Sequence, residues 1–297
     1  MINSIQSRVF YNSNSDNLFK NLIIGILLFS ISLLASSGIA QSLKKEKSKN
    51  NKGSLKQSKM KVEIWSDVMC PFCYIGKRKF EKALSEFSNK DNVEIVWKSF
   101  QLNADMKTNP TKSTYEYLAE TKGWTLDYAR QMGGYVTEMA ALEGLVYNMD
   151  KTVVANSFDA HRFIQLAKKN NKGDEAEEQL FKAYFTEGKN IADHLVLTEI
   201  GNSIGLDSLE VKELLNSTLY ADLVQKDIYE ARQVGARGVP FFVFNKKHAV
   251  SGAQDAKVLL SSLEKAWKEF EKETAKAGFS IVEGAICNPE GDCEPQK

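Results

Sequence analysis

The chain has 297 residues, of which 43% are hydrophobic and 26% are charged, an ordinary composition for a globular protein. Its 39 basic and 38 acidic residues give a formal net charge of +1, so it lacks the basic excess of a nucleic-acid-binding protein. Four cysteines are too few to build a disulfide scaffold. They form two local pairs, Cys70/Cys73 and Cys287/Cys293. This arrangement indicates a chemically active pair and one short-range disulfide clip.

The N-terminal segment contains an uncharged apolar run at positions 22–40, LIIGILLFSISLLASSGIA. Lys20 precedes it, and Gly38-Ile39-Ala40 ends it with the small residues of a signal-peptide cleavage site. A single membrane anchor is the alternative, because about 19 apolar residues just cross a bilayer. We therefore expect residues 1–59 to be a signal peptide or anchor plus a disordered Lys/Ser/Asn-rich linker, and the protein to be exported. A translation start at Met60 would instead make it cytoplasmic.

The first motif is Cys70-Pro71-Phe72-Cys73, which follows a predicted strand at 61–67 and opens a predicted helix from Tyr74 to about Phe87. A cysteine pair between a strand and a helix is typical of a thioredoxin-like redox site. Backbone N–H groups and the helix dipole favour a thiolate at the first position. We therefore predict that Cys70 is the nucleophile and Cys73 the resolving thiol.

No metal site is predicted. Zinc needs a second pair of Cys or His ligands at regular spacing, and the histidines His161, His194 and His248 are scattered.

The remaining pattern predicts a second strand at 92–98, helical periodicity after Pro110, an apolar strand at 241–244, a short strand to Val250 and a final helix. The order is β-α-β, a helical block, then β-β-α. We therefore predict an α/β fold, a thioredoxin-like core with a large helical insertion between its two halves. The domain spans 60–277, the insertion about 111–235, and a tail with a cysteine pair 278–297.

The second motif is Gly238-Val239-Pro240, directly before the apolar strand. A proline at this place in thioredoxin-like folds is cis and lies beside the CxxC pair. The backbone of the preceding Val239 can then pair with an extended substrate chain. We predict that Val239 contributes to substrate binding together with Pro71 and Phe72.

Four segments together resemble the FrnE-like branch of the DsbA thiol oxidoreductases: KVEIWSDVMCPFCYIGKRKFE, NSFDAHRFIQLA, AYFTEGKNIADHLVL and ARQVGARGVPFFVFNKKHAVSGAQ. The resemblance implies a redox-active pair at Cys70 and Cys73 and a cis-proline at Pro240. It also implies a second cysteine pair after the core, here Cys287 and Cys293. That pair is either a local disulfide clip, a second exchangeable redox pair or half of a metal site.

Three single residues are given structural roles. Asp67 is predicted to cap the helix rather than to transfer protons, and Arg237 to be a solvated charge. His161 is predicted to be a hydrogen-bonded structural histidine. Ile64 stands where thioredoxins carry a buried acid.

The leading hypothesis is a thiol-disulfide oxidoreductase that acts on protein thiols and disulfides with an unknown redox partner. It needs no cofactor beyond its dithiol, with glutathione as a candidate reductant or oxidant. One alternative is a glutathione-dependent enzyme of the hydroxychromene carboxylate isomerase or kappa glutathione transferase type. Another is a redox-inactive binding module or chaperone. The oligomeric state and the direction of electron flow are left open.

The residue before Cys73 generates a testable prediction. DsbA proteins carry a histidine there that stabilises the thiolate, and this chain carries Phe72. We expect a couple clearly less oxidising than DsbA, whose potential is about −120 mV. Equilibration with glutathione buffers measures it, and a value as oxidising as that of DsbA would contradict the prediction.

Overall fold

The computed structural model describes residues 58–276, 286–287 and 293–294. Eight strands are described: β1 (Met60–Ser66), β2 (Val93–Ser99), β3 (Asn109–Ser113), β4 (Val153–Val154), β5 (Phe241–Phe244), β6 (His248–Ser251), β7 (Ile286–Cys287) and β8 (Cys293–Glu294). The α-helices of the same residues are α1 (Pro71–Glu86), α2 (Thr114–Lys122), α3 (Leu126–Leu142), α4 (Phe158–Lys169), α5 (Gly173–Phe181), α6 (His194–Ser203), α7 (Ser208–Leu215), α8 (Ala221–Gln233) and α9 (Ala256–Lys276).

The central sheet has four strands in the order β2-β1-β5-β6. Strands β1 and β2 are parallel, and α1 is the crossover between them. Strand β5 runs antiparallel to β1, and β6 returns beside it through a tight turn at Asn245 and Lys246. Both residues have positive φ, 48° and 58°, and three residues, 245–247, separate the paired Phe244 and His248. These are the β-α-β and β-β-α halves that the sequence predicts.

Strand β5 is covered on both faces, as its continuous apolar run predicts. Phe242 and Phe244 point to a core that α1 and α9 build, where the Phe80 and Phe242 ring centroids are 5.7 Å apart. Phe241 and Val243 point to the opposite face and pack with Trp65 and Ala231. The alternation along the strand thus fixes which side of the sheet each helix covers.

Helices α2–α8 lie in the chain between the two halves, which confirms the fold as a thioredoxin-like core with a helical insertion. The insertion is not helical throughout, however, although the sequence predicts helical periodicity after Pro110. Strands β3 and β4 form a separate antiparallel pair, and residues 182–186 form a π-helical turn. Asp207 caps α7, because its side chain accepts a hydrogen bond from the Leu209 N–H at 2.6 Å.

Several predicted features lie outside the described residues. They are the signal peptide or anchor at 22–40, the linker from Lys44 up to residue 57, and most of the C-terminal tail. Within 58–276 and the two tail strands, no helix is long and apolar enough to cross a membrane. Strands β7 and β8 pair antiparallel, with Cys287 opposite Cys293 in the register. The domain boundaries stay predictions.

A buried polar layer lies between the sheet and the insertion. Helix α4 carries His161, Gln165 and Lys168 on one face, at the i, i+4 and i+7 spacing. Gln165 donates to Asp227 on α8 at 2.7 Å, and Asp227 in turn accepts the Ser99 N–H at 3.1 Å. Burying polar groups lowers the stability of the fold unless each group has a hydrogen-bond partner.

The contact between α1 and the segment before β5 generates a stability prediction. A Cβ placed on Gly76 would lie 2.8 Å from Pro240 Cγ, too close for the two elements to keep their separation. We expect Gly76→Ala to destabilise the fold by about 1–3 kcal/mol, as overpacking does. The matched control is Gly134→Ala on α3, where nothing lies within 4 Å and about 0.5–1 kcal/mol should be gained. Urea denaturation measures both, and equal effects would contradict the prediction.

Two neighbouring acids on α5, Glu177 and Glu178, are predicted to change the pH dependence of stability in opposite directions. Burial, reinforced by Asp174 and Asp67, raises the pKa of Glu177 to about 8 against the pull of Lys77. Between pH 4.5 and about 8 the unfolded chain therefore loses a proton that the folded chain keeps, and stability falls as pH rises. Glu177→Gln should remove this loss, up to about 3–5 kcal/mol at pH 8, and change little at pH 4.

The control is Glu178→Gln. Although burial opposes ionisation of Glu178, hydrogen bonds from Arg78 and Tyr74 outweigh it and lower the pKa of Glu178. Its stabilisation is therefore present at neutral pH and lost in acid, so Glu178→Gln should destabilise the protein near pH 7. Urea midpoints between pH 4 and pH 9 test both variants. Parallel curves for wild type and Glu177→Gln would show that Glu177 is not held protonated.

Candidate active site

The two cysteines lie at the N-terminal end of α1, where the β1–α1 loop turns into the helix. Cys70 is the N-cap residue, its N–H donates to the Asp67 carbonyl at 2.8 Å, and the Cys73 N–H donates to the Cys70 carbonyl at 3.0 Å. Both side chains are buried, with 4% of Cys70 and 1% of Cys73 exposed, and both are free thiols. Cys70 is thus the outer sulfur, at a helix N-terminus whose free N–H groups favour negative charge.

The segment before β5 faces the outer cysteine. Cys70 Sγ lies 3.5 Å from the Val239 carbonyl oxygen, and the peptide bond between Val239 and Pro240 is cis, as predicted. Val239 is half-buried and Pro240 buried. The structure therefore brings together all six residues singled out around the first motif, since Pro71 and Phe72 lie between the cysteines and line the same cavity as Val239.

The inner cysteine is held as a thiol. Burial, then the hydrogen bond to Cys70 and the Cys70 charge, raise the pKa of Cys73 well above its ordinary value. The Asp67 backbone N–H and the Ser66 hydroxyl face the Cys73 sulfur and act in the opposite direction, but they do not outweigh burial. A buried neutral thiol beside an outer sulfur is the arrangement that a resolving cysteine needs before it attacks.

An aromatic stack, which sequence reasoning missed, fixes the motif against the insertion. The Tyr147 hydroxyl donates to the Pro71 carbonyl at 2.7 Å. Its ring lies 4.6 Å from Phe185 and 6.1 Å from Tyr74, and Tyr74 stacks on Phe181 at 4.8 Å. Only the apolar spacing of Phe181 and Phe185 on a helix face was visible in the sequence.

A charged network, also missed, joins α1 to α5 one turn beyond Cys73. Lys77 is only 2% exposed and pairs with Asp174 at 3.3 Å, with Glu178 at 3.2 Å and with Glu81. Burial alone would lower the pKa of Lys77, but Asp174 and the two glutamates outweigh it and raise that pKa. A buried charge needs such partners, and here they orient α1 relative to the insertion.

A cavity of about 540 Å³ opens over Cys70. Its floor includes Asp67, Cys70, Phe72 and Val239, and its walls come from α2, α3 and neighbouring loops. The walls are mainly apolar, and four methionines contribute to them: Met69, Met106, Met132 and Met149. Methionine side chains adapt to different apolar shapes. The insertion therefore covers one side of the cysteine pair.

Two of the single-residue predictions are wrong. Asp67 does not cap α1, because Cys70 occupies the N-cap position without a side-chain cap. Instead, the buried Asp67 carboxylate accepts the Leu102 N–H at 2.8 Å and the Met69 N–H at 3.3 Å, tying the β2 end to the motif loop. His161 is fully buried, but neither ring nitrogen has a hydrogen-bond partner among the described residues.

The other expected residues lie apart from the dithiol. Arg237 is exposed, in keeping with a solvated charge. Among the residues that the structure describes, no group of three His, Cys, Asp or Glu side chains could hold a metal ion. The side chains of Cys287 and Cys293 lie outside the description, so their role stays a prediction.

Comparisons with known proteins agree with this geometry. A family model of the DSBA-like thioredoxin domain matches residues 61–264. The chain is 29% identical over 196 residues to the uncharacterized protein YwbO of Bacillus subtilis, covering 61% of this chain and 85% of that protein.

Solved structures give the same result. A probable DsbA oxidoreductase of Streptomyces coelicolor, SCO1869, superposes with a TM-score of 0.67 at 34% identity, over 80% of this chain and all of that one. A 2-hydroxychromene-2-carboxylate isomerase shares the fold at a TM-score of 0.51 and 15% identity, over 74% of this chain and 100% of that one. The chain therefore belongs to the DSBA-like thioredoxin domain family.

Proposed function

We propose that the protein is a thiol-disulfide oxidoreductase that exchanges disulfides with protein substrates through Cys70 and Cys73. One observation carries the proposal. An outer cysteine at a helix N-terminus lies 3.5 Å from the Val239 carbonyl, while an inner cysteine is buried behind it as a thiol. This arrangement separates the attacking sulfur from the resolving sulfur, which disulfide exchange requires.

The reaction follows from the positions of the two sulfurs. In the reducing direction the Cys70 thiolate attacks a substrate disulfide, forms a mixed disulfide and releases one substrate thiol. Cys73 then loses its proton and attacks Cys70 Sγ, which forms the Cys70–Cys73 disulfide and releases the second thiol. In the oxidising direction the same steps run backwards, so atoms and electrons balance in both.

The substrate is held from two sides. The backbone of Val239 pairs with an extended chain next to the exchanging cysteine, as peptide segments pair with a free strand edge. The apolar cavity over Cys70 receives a neighbouring apolar side chain, and Phe72 and Pro71 line its floor. This division favours a protein substrate, with glutathione or another redox partner restoring the dithiol.

The apolar run at 22–40 supports an exported or membrane-anchored protein that works in an oxidising compartment. There the pair would be kept oxidised by its partner and would donate disulfides. The FrnE-like segments and the tail cysteines Cys287 and Cys293 support a second exchange step outside the core.

An insulin-reduction assay with dithiothreitol tests the function. We expect catalysed turbidity from the wild type and at least a hundredfold loss in Cys70→Ser, because the attacking sulfur is gone. Cys73→Ser should retain attack but trap mixed disulfides, which mass spectrometry detects. The matched control is Cys287→Ser with Cys293→Ser, which keeps the core pair. Undiminished activity in Cys70→Ser would contradict the proposal, and no activity in the wild type would favour a binding module.

A further inference from the structure

A buried histidine with unpartnered nitrogens lies next to the dithiol. His161 is fully buried, and neither of its ring nitrogens has a hydrogen-bond partner within the described residues. Its Nε2 lies 3.5 Å from Asp67 Oδ1, the nearest charged atom recorded for the ring. Burying an imidazole without hydrogen bonds costs free energy, and such exceptions in a folded core call for an explanation.

Asp67 connects this histidine to both sulfurs. Its carbonyl accepts the Cys70 N–H at 2.8 Å, and its own backbone N–H faces the sulfur of Cys73. Its side chain lines the cavity in which a substrate sulfur bonded to Cys70 would lie. The carboxylate is only 2% exposed and is held by two backbone N–H groups, so its position is fixed.

The other titratable groups around the pair come from four elements. Glu177 on α5 and Tyr184 in the π-helical turn both feel the Asp67 charge, which contributes to raising the pKa of each after burial. Lys77 on α1 and Lys168 on α4 act on Glu177 in the opposite direction. Glu177 and Tyr184 are therefore held neutral near pH 7.

Disulfide exchange at this site needs a group that can accept a proton and give it back. Cys73 must lose a proton before it attacks, and its burial makes that loss to water unfavourable. An alkyl thiolate leaving Cys70 must gain a proton in a cavity with mainly apolar walls. Both transfers take place within one step, on the two sides of the same sulfur.

We propose that Asp67 and His161 together accept and return the proton that moves during exchange at the dithiol site, and we call this pair the proton store. During resolution the pair takes the proton of the Cys73 thiol, Cys73 forms a bond to Cys70 Sγ, and the Cys70–substrate disulfide bond breaks. The departing sulfur then takes the proton from the pair, so R–S–S–Cys70 and HS–Cys73 give the Cys70–Cys73 disulfide and R–SH without net proton release. Asp67 lines the cavity beside Cys70, and His161 is a positioning residue that acts through it.

This inference rests on the proposed function, and the experiment separates the two. The chain carries Cys287→Ser and Cys293→Ser so that only the core pair reacts. The reduced protein is mixed with 5,5′-dithiobis(2-nitrobenzoate) in a stopped-flow instrument. The first release of the coloured thiolate reports attack by Cys70, and the second reports resolution by Cys73. The variant is His161→Gln, and the matched control is His194→Gln, an exposed histidine that pairs with Asp159 at 3.0 Å.

We expect His161→Gln to leave the first phase within twofold of wild type and to slow the second at least tenfold at pH 6–7, because a positioned base contributes about 10²–10⁴-fold. The second phase should recover at pH 9 and on addition of imidazole, which a purely structural defect would not do. His194→Gln should match wild type in both phases. An unchanged second phase, or a slowing that is equal at all pH values and is not rescued, would overturn the proton store alone.

If the wild type itself shows no second phase, the proposed function fails and the proton store fails with it. For a His161→Gln chain that does not fold, NMR titration of the wild-type His161 ring replaces the kinetics. The midpoint should differ between the dithiol and the Cys70–Cys73 disulfide, since the pair faces a site that gains or loses a proton. The same midpoint in both forms would overturn the proposal.

Discussion

The burial of helix α1 on three sides is the constraint on which the rest of the molecule depends. Its N-terminal turn lies under the cavity, its Gly76 touches Pro240, and its Lys77 is enclosed by the acids of α5. The first and third of these contacts come from the insertion, and the second comes from the loop before the second half of the core. The positions of the two sulfurs therefore depend on distant parts of the chain as well as on the local motif, and this produces one outer and one inner thiol.

Desolvation decides the chemistry of this site. The dithiol lies beside a cavity with mainly apolar walls, and both cysteine side chains are almost completely buried. The same desolvation keeps Cys73 a thiol and Glu177 neutral, while Lys77 stays charged because carboxylates surround it. The desolvation of these buried groups lowers the stability of the fold. The aromatic stack of Tyr147, Tyr74 and Phe185 offsets part of that cost, because the rings pack together and the Tyr147 hydroxyl donates a hydrogen bond to the motif.

One architecture can carry different chemistry. The isomerase with the same fold at 15% identity is a likeness of fold alone. The proposal of disulfide exchange for this chain rests on the presence of both Cys70 and Cys73 in one helical turn and on the contact of Cys70 with Val239. The wall of the cavity comes from α2 and α3, so the insertion decides which side chains can approach the outer sulfur.

The sequence by itself determined the α/β fold, the place of the cysteine pair and the proline loop, because these depend on local patterns: a CxxC between a strand and a helix, alternation in β2, and an apolar run in β5. Tertiary structure alone decided the surroundings of Asp67 and His161. Asp67 looks like a helix cap in sequence because it precedes a helix, but its oxygens are turned to Leu102 and His161, which are distant in the chain. Hydrogen-bond partners, burial and proton affinity depend on which distant groups meet, and a sequence pattern records only which groups are neighbours along the chain.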